Sequence, residues 1–329
     1  MTGVIELQKG GTVPFRGMSS TSSSKDDRLE FTLPSAVSRY TVHSPPLCRG
    51  GYGVLSIGTD TVTGERVAIK FEHKAQQTSQ LRTEIAFYKR LQKRGNLGFP
   101  ELFASGEDGE WRYMVMTLLG PSLDDLRRRS YPGVAPFSFS LKTVLMLADQ
   151  ALIRLETLHR AGICHRDLKP QNMMMGPAGG AMAPMLYFID LGMGKAYMDA
   201  AGRHIAEERN NVVLGTMEYM PIQTQRSMRG ARREDLESLA YVMICLARGG
   251  LPWKALNKDA AKTLHLKETM PTAQLCKGLP PVFATWLDTA RRIEFTKTPP
   301  YAHIRKLLHD TAEREGIVFD AMYDWSPRP

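Results

Sequence analysis

Four short strings, far apart but in a fixed order, constrain this chain more than any bulk property. They are CRGGYG at 48–53, VAIK at 67–70, HRDLKPQN at 165–172 and DLG at 190–192. The first departs from the G-x-G-x-x-G pattern of phosphate-cradling loops only at its first place, where Cys48 replaces glycine. Alone, such a loop is equally an ordinary turn, so its meaning depends on the company it keeps. That company is a lysine ending an apolar run, a loop rich in Asp, Lys and Asn, and an Asp before glycine.

Bulk properties narrow the setting. A length of 329 residues is enough for two lobes, each with its own core. Apolar residues at 43% and charged residues at 23% are ordinary for a globular chain. No apolar run approaches the ~20 residues of a membrane span, and the first residues lack the apolar core of a secretory signal. The cysteines at 48, 164, 245 and 276 show neither a pairing pattern nor metal-ligand spacing, so a reducing compartment is expected, cytoplasmic with a possible nuclear share. The net charge of +9 could serve nucleic acid, a membrane surface or acidic proteins. The basic residues are dispersed, however, apart from Arg127-Arg128-Arg129 and Arg232-Arg233. No nucleic-acid recognition motif is present, so neither nucleic acid nor membrane is the expected main partner.

Residues 1–38 read as a disordered extension, Ser-rich and without periodicity around 19–27. From 39 to 116 the signals are mostly strands, with runs at 54–57, 66–70 and 113–116. They are interrupted by one helix whose apolar face is Leu81, Ile85, Tyr88 and Leu91. Leu118-Leu119-Gly120-Pro121 breaks the last strand, as a hinge over 117–121 would. From 122 to 325 helices dominate. Val144, Leu147, Ala151, Leu155 and Leu158 form one stripe, and Leu236 to Leu246 is apolar nearly all round, as a central buried helix is. Residues 326–329 read as a short tail.

The four strings fall in the order and spacing of the protein-kinase signature set. Further stretches resemble the casein kinase 1 family: LLGPSLDDL at 118–126, FSLKTVLMLADQ at 139–150, REDLESLAYVM at 233–243, GGLPW at 249–253, LCKG at 275–278, FATWL at 283–287 and YDW at 323–325. The likeness runs over about 39–325. It implies a bilobal α+β fold, ATP and Mg²⁺ as cofactors, protein substrates bearing Ser or Thr, and a monomer. Lys70 is then expected on the α/β-phosphates with Glu84 fixing its ammonium, although a lone helix carboxylate is ordinarily exposed. Asp167 is expected to orient the substrate hydroxyl and take its proton. Lys169 is expected beside the transferred phosphate, as in serine/threonine enzymes, and Asn172 and Asp190 as oxygen ligands of Mg²⁺. The resemblance puts Cys48, Gly50, Gly53, Leu55 and Ala68 around the nucleotide, Met116 as gatekeeper, Leu119 as the adenine-binding hinge residue, and Ser122 and Asp125 near the ribose. It makes Asp235 an anchor of the catalytic-loop backbone, with His165 and Arg166 as scaffold. Leu191 replaces the usual Phe, and an apolar residue still packs there.

One departure bears on substrates. The family commonly has Gly-Thr-Ala-Arg-Tyr, whose Arg helps bind a phosphate already on the substrate. This chain reads Gly215-Thr216-Met217-Glu218-Tyr219, as the vaccinia-related branch does in outline. Glu218 is expected to repel such a phosphate, so primed substrates are not expected to be preferred. The segment 190–221 has no evident serine switch, Thr216 reads as a substrate-pocket residue, and the chain ends soon after Trp325. Constitutive activity is therefore expected. Cys48 is a candidate for covalent labelling, with an inert thiol as the plainer reading. The alternative function is a kinase-fold scaffold with little catalysis, motivated by the altered loop and activation segment. Against it stand Lys70, Glu84, Asp167, Asn172 and Asp190, all retained.

Overall fold

The computed structural model describes residues 3–6, 32–50, 53–130, 138–210 and 212–327. Of the expected disordered extension, most lies outside the described residues, but two parts correct it. Strand β1 (Gly3–Glu6) is paired, and β2 (Ala36–Val37) already belongs to the first lobe. Val37 is buried there, and that apolar contact sets the boundary earlier than residue 39.

The first lobe is an antiparallel sheet because its strands alternate. After β2 come β3 (Tyr40–Val42), β4 (Cys48–Gly50), β5 (Gly53–Asp60) and β6 (Arg66–His73). Helix α1 (Gln80–Gln92) then precedes β7 (Leu102–Asp108) and β8 (Trp111–Thr117). The order is β2-β3-β5-β6-β8-β7, with β4 folded onto β5. Along β6, Val67, Ile69 and Phe71 join Val115, Tyr113 and Trp111 in an outer apolar cluster. Ala68 faces the other way, into the core shared with Leu81, Tyr88, Met114 and Met116. The period of two therefore turns Lys70 and Glu72 toward α1. Helix α1 starts at Ser79, whose Oγ accepts the Arg82 amide at 3.1 Å. It buries Leu81, Glu84, Tyr88 and Leu91, so a carboxylate occupies its apolar stripe.

Past the hinge come α2 (Leu123–Ser130), α3 (Leu141–Arg160), β9 (Ile163–Cys164), β10 (Met173–Met175), β11 (Leu186–Phe188), β12 (Lys195–Ala196) and β13 (Val212–Gly215), to which β1 pairs. Helices α4 (Ile222–Gln225), α5 (Arg232–Arg248), α6 (Ala260–Thr269), α7 (Thr272–Leu275), α8 (Pro281–Arg292) and α9 (Tyr301–Arg314) complete the lobe. Every residue of α5 from Glu234 to Leu246 is buried, the apolar run from Leu239 onward as its all-round apolar sequence requires and Glu234, Asp235, Glu237 and Ser238 because each has hydrogen-bond partners. It packs between α3 and α8, and α3 packs on α9. The YDW end folds back: Asp324 accepts the Ser140 amide at 2.7 Å at the start of α3, and Tyr323 stacks on Trp325. Among the described residues, no helix is long and apolar enough to cross a membrane.

Two small hairpins position the chemistry. β10 pairs with β11 (Met173 opposite Phe188) and β12 pairs with β9 (Lys195 opposite Cys164). The link 165–172 between β9 and β10 therefore lies beside the link 189–194 between β11 and β12. HRDLKPQN and DLG, some 20 residues apart in sequence, become neighbours.

Candidate active site

Lys70 joins the two lobes. Its Nζ lies 2.7 Å from Glu84 Oε2 on α1 and 2.9 Å from Asp190 Oδ1. Burial works to lower the Lys70 pKa, but the two carboxylates outweigh it and the ammonium is held above its usual range. Burial pushes the Glu84 carboxyl up against the pull of Lys70. At Asp190 burial pushes the same way, but Lys70 prevails and the carboxyl is held low. Asp190 takes a left-handed backbone, φ 63°, which costs a non-glycine residue ~1–3 kcal/mol and has to be held in place by its surroundings.

Asp167 is gripped on both oxygens. Oδ1 accepts the Thr216 amide at 2.9 Å and its hydroxyl at 2.7 Å. Oδ2 accepts Lys169 Nζ at 2.6 Å, and the Asn172 amide donates to the Asp167 carbonyl at 2.9 Å. The Thr216 contacts require β13 to pass close under the loop. Gly215 permits this: its φ is +125°, and a Cβ there would stand 3.0 Å from the Arg166 carbonyl. His165 Nδ1 accepts the Asp167 amide at 3.3 Å while Nε2 donates to the Ile189 carbonyl at 3.0 Å. These partners define the neutral imidazole with its proton on Nε2 and tie the two loops together.

The loop backbone hangs from α5. Asp235 accepts the His165 amide at 2.7 Å, the Arg166 amide at 2.8 Å and His159 Nε2 at 2.9 Å. Burial pushes the Asp235 carboxyl up, but these bonds outweigh it and hold it low. The same bonds hold Arg166 at φ 70°. His159 lies between Asp235 and the Tyr301 hydroxyl, and burial keeps it toward neutrality. His159, Cys164 and Asp235 place three ligand-type atoms within 4.8 Å of one another. Both Asp235 oxygens and both His159 nitrogens already have protein partners, so this cluster is scaffold.

The residues expected around a nucleotide line one side of the same cleft. Gly50 faces Gly53 at the end of the β4–β5 hairpin, Cys48 pairs with Leu55, Leu55 with Lys70, and Ala68 with Met116. Cys48 is exposed. Gly53 is demanded by the protein itself: φ is +133°, and a Cβ would meet the Phe71 carbonyl at 2.0 Å. At Gly50, by contrast, a Cβ meets nothing within 4 Å, so protein packing does not demand glycine and a ligand has room to approach. Met116 is buried and Leu119 is half-buried. Among the described residues no chain atom bonds the Leu119 backbone, which leaves it available to an adenine edge. Ser122 and Asp125 form a capping box at the start of α2, the Ser122 hydroxyl donating to Asp125 at 2.7 Å and accepting the Asp125 amide at 3.1 Å. Their first task is thus to start a helix beside the cleft.

Glu218 corrects the sequence reading. It is 8% exposed, and its carboxylate points inward, with Cys245 Sγ 3.9 Å from Oε1. Trp253 Nε1 donates to its carbonyl at 2.7 Å, and Met217 and Tyr219 beside it are buried too. The anion does not face a substrate. A buried lysine that sequence reasoning missed lies below: Lys267 Nζ donates to the Met217 and Met220 carbonyls at 2.7 and 2.8 Å and to Gln225 at 3.1 Å. Burial pushes Lys267 down to about 7, opposed by the Glu237 and Glu218 carboxylates. One lysine in a mixed helix carries no sequence signal for this place. Thr216 was read only as a pocket residue; its two bonds to Asp167 depend on the turn of the chain at Gly215.

A half-buried cation between two carboxylates, a gripped aspartate and a glycine hairpin over one cleft define a phosphoryl-transfer fold of the kinase class. Residues 42–310, well over half of the chain, match the family model described as Protein kinase domain, and the chain belongs to that family. Kinase-domain proteins transfer phosphate to proteins and generally use ATP and Mg²⁺.

Proposed function

We propose that this chain is an ATP- and Mg²⁺-dependent serine/threonine protein kinase of casein kinase 1 type, active without prior phosphorylation. The observation that carries the reading is the convergence of Lys70, Glu84 and Asp190 with the Asp167–Lys169–Asn172 loop in one cleft. The site suits the cofactors. Asp190 and Asn172 are oxygen donors of the kind a hard cation takes, and because the Asn172 NH₂ is spent on Asp167, its carbonyl oxygen is left for a metal. The open space over Gly50 and the Leu119 backbone, unbonded among the described residues, suit a nucleotide. Bound Mg²⁺ would neutralise charge on the transferring phosphoryl group. Lys70 would hold the α/β-phosphates. Asp167, its carboxylate aimed by Thr216, Lys169 and Asn172, would orient a Ser or Thr hydroxyl and take its proton.

Lys169 supports the Ser/Thr choice, and the resemblance across 39–325 supports the casein kinase 1 type. Constitutive activity is supported by charges already in the activation segment: Glu208 pairs with Arg229 at 2.7 Å, Glu207 pairs with Arg233, and the Arg229 amide donates to the Glu208 carbonyl at 2.7 Å. These carboxylates occupy arginines that a phosphate would otherwise recruit.

Purified protein with radiolabelled ATP, Mg²⁺ and casein is expected to yield phosphoserine and phosphothreonine. Absence of transfer leaves the scaffold reading, and phosphotyrosine alone overturns the Ser/Thr assignment. A second expectation concerns priming. With Glu in place of the family's Arg and turned away from the surface, position 218 supplies no cation to an upstream phosphate. A peptide pair differing only by an upstream phosphoserine should turn over within a few-fold of each other; a tenfold advantage of the phosphorylated peptide contradicts this.

A further inference from the structure

We infer that Glu72 is a positioning residue that pins the start of α1, so that the Lys70–Glu84 pair is assembled by the fold itself. The inference rests on the kinase reading above and adds its control. Glu72 follows Lys70 by two positions on β6 and leaves the same face of the strand. It is fully buried, and each of its known partners does structural work. Oε2 accepts the Leu81 amide at 3.0 Å, inside the first turn of α1. Oε1 accepts the hydroxyl of Ser79, the N-cap of the same helix, and NH1 of Arg112 on β8 at 3.3 Å.

The helix N-terminus has amides without partners inside the helix and a partial positive charge. Here a carboxylate from the neighbouring strand satisfies one of them, the Leu81 amide, and holds Ser79, whose Oγ takes the Arg82 amide. A second strap runs outside it: Arg82 on α1 bonds Glu107 at 3.0 Å, and Glu107 lies 3.3 Å from Arg112, which returns to Glu72. A buried carboxylate without donors is costly. Moving α1 outward would strip Glu72 of two partners, Ser79 and the Leu81 amide. Glu84 lies one turn further along the same helix and is 1% exposed, so a shift of the cap is passed to the carboxylate that holds Lys70. The strand that carries the lysine thus also carries the anchor of the helix that pairs with it.

The test compares wild type, Glu72→Ala, Glu72→Gln, Glu84→Gln and the Glu72→Ala/Glu84→Gln double variant in the full chain. Glu72→Ala is expected to lower kcat at least tenfold with the protein-substrate KM changed less than twofold. In the Glu84→Gln background the same substitution should cost less than a further twofold, because Glu72 acts through Glu84. Hydrogen exchange of amides 81–84 should quicken at least tenfold in Glu72→Ala, with α5 unchanged. Glu72→Gln keeps an acceptor and should fall between; it serves if the alanine variant does not fold. Full kcat in Glu72→Ala, an equal loss in both backgrounds, or unchanged protection of 81–84 each overturn the inference. If wild type itself transfers no phosphate, the kinase reading fails separately, and the exchange measurement still decides whether Glu72 holds the helix.

Discussion

Asp167→Asn is expected to slow phosphate transfer to casein by about 10²–10⁴-fold, the range for losing a positioned proton acceptor. The geometry makes the isosteric change severe. Both carboxylate oxygens accept from donors: the Thr216 amide and hydroxyl on one side, Lys169 Nζ on the other. An amide has one acceptor end, so its NH₂ must face a donor on one side and the group loses its aim. The residues proposed to contact the nucleotide lie elsewhere in the cleft, so ATP affinity should change little. Stability should drop by about 1–3 kcal/mol, as for a buried donor left without a partner. Thermal unfolding alongside the rate assay separates the two effects; transfer equal to wild type removes Asp167 from the chemistry.

Lys70→Met is expected to lower transfer by about 10²–10³-fold, as for loss of a preorganised charge on the reacting group, and to weaken nucleotide binding with it. Its stability effect has a sign that can be worked out. Removing the ammonium leaves Glu84 buried with Asp190 as a like-charged neighbour, and both push its pKa up. A carboxyl whose folded pKa is raised above its unfolded value binds its proton more tightly when folded. Its cost to stability begins as pH rises past the unfolded pKa, grows while the folded carboxyl alone keeps its proton, and is complete once pH has passed the folded pKa. The variant should therefore be closer to wild type at pH 5.5 than at pH 8, by about 1.4 kcal/mol per unit of raised pKa that the window spans. Urea denaturation at both pH values checks this. A gap that widens on acidification would show that Glu84 does not depend on Lys70.

Much of the site could be read because kinase chemistry concentrates its residues in short strings whose local geometry is set by neighbours. VAIK alternates, so Lys70 leaves the strand opposite Val67, Ile69 and Phe71. Glu84 was legible from its kinase-motif context, and the structure adds that it shares the buried stripe of α1 with Leu81 and Tyr88. Asp235 was legible through the family resemblance alone, since helix periodicity assigns a carboxylate near the start of a buried helix no partner. Glu218 was misread because a glutamate is ordinarily exposed. Whether one turns inward depends on what packs on its backbone, and here Trp253 and Lys267, 35 and 49 positions later, decide it.

The sequence by itself determined the lobes, the faces of their strands and helices, and the identity of the groups proposed to handle phosphate, because periodicity and motif chemistry act over a few residues. The tertiary structure alone decided which groups meet. Lys70 finds Asp190 across 120 positions, Thr216 finds Asp167 across 49, and Glu72 caps a helix that begins eight residues later. Those encounters depend on two lobes and two hairpins closing on one cleft. Burial there makes an unpartnered charge costly enough to select the arrangement in which the charged groups of the cleft are paired.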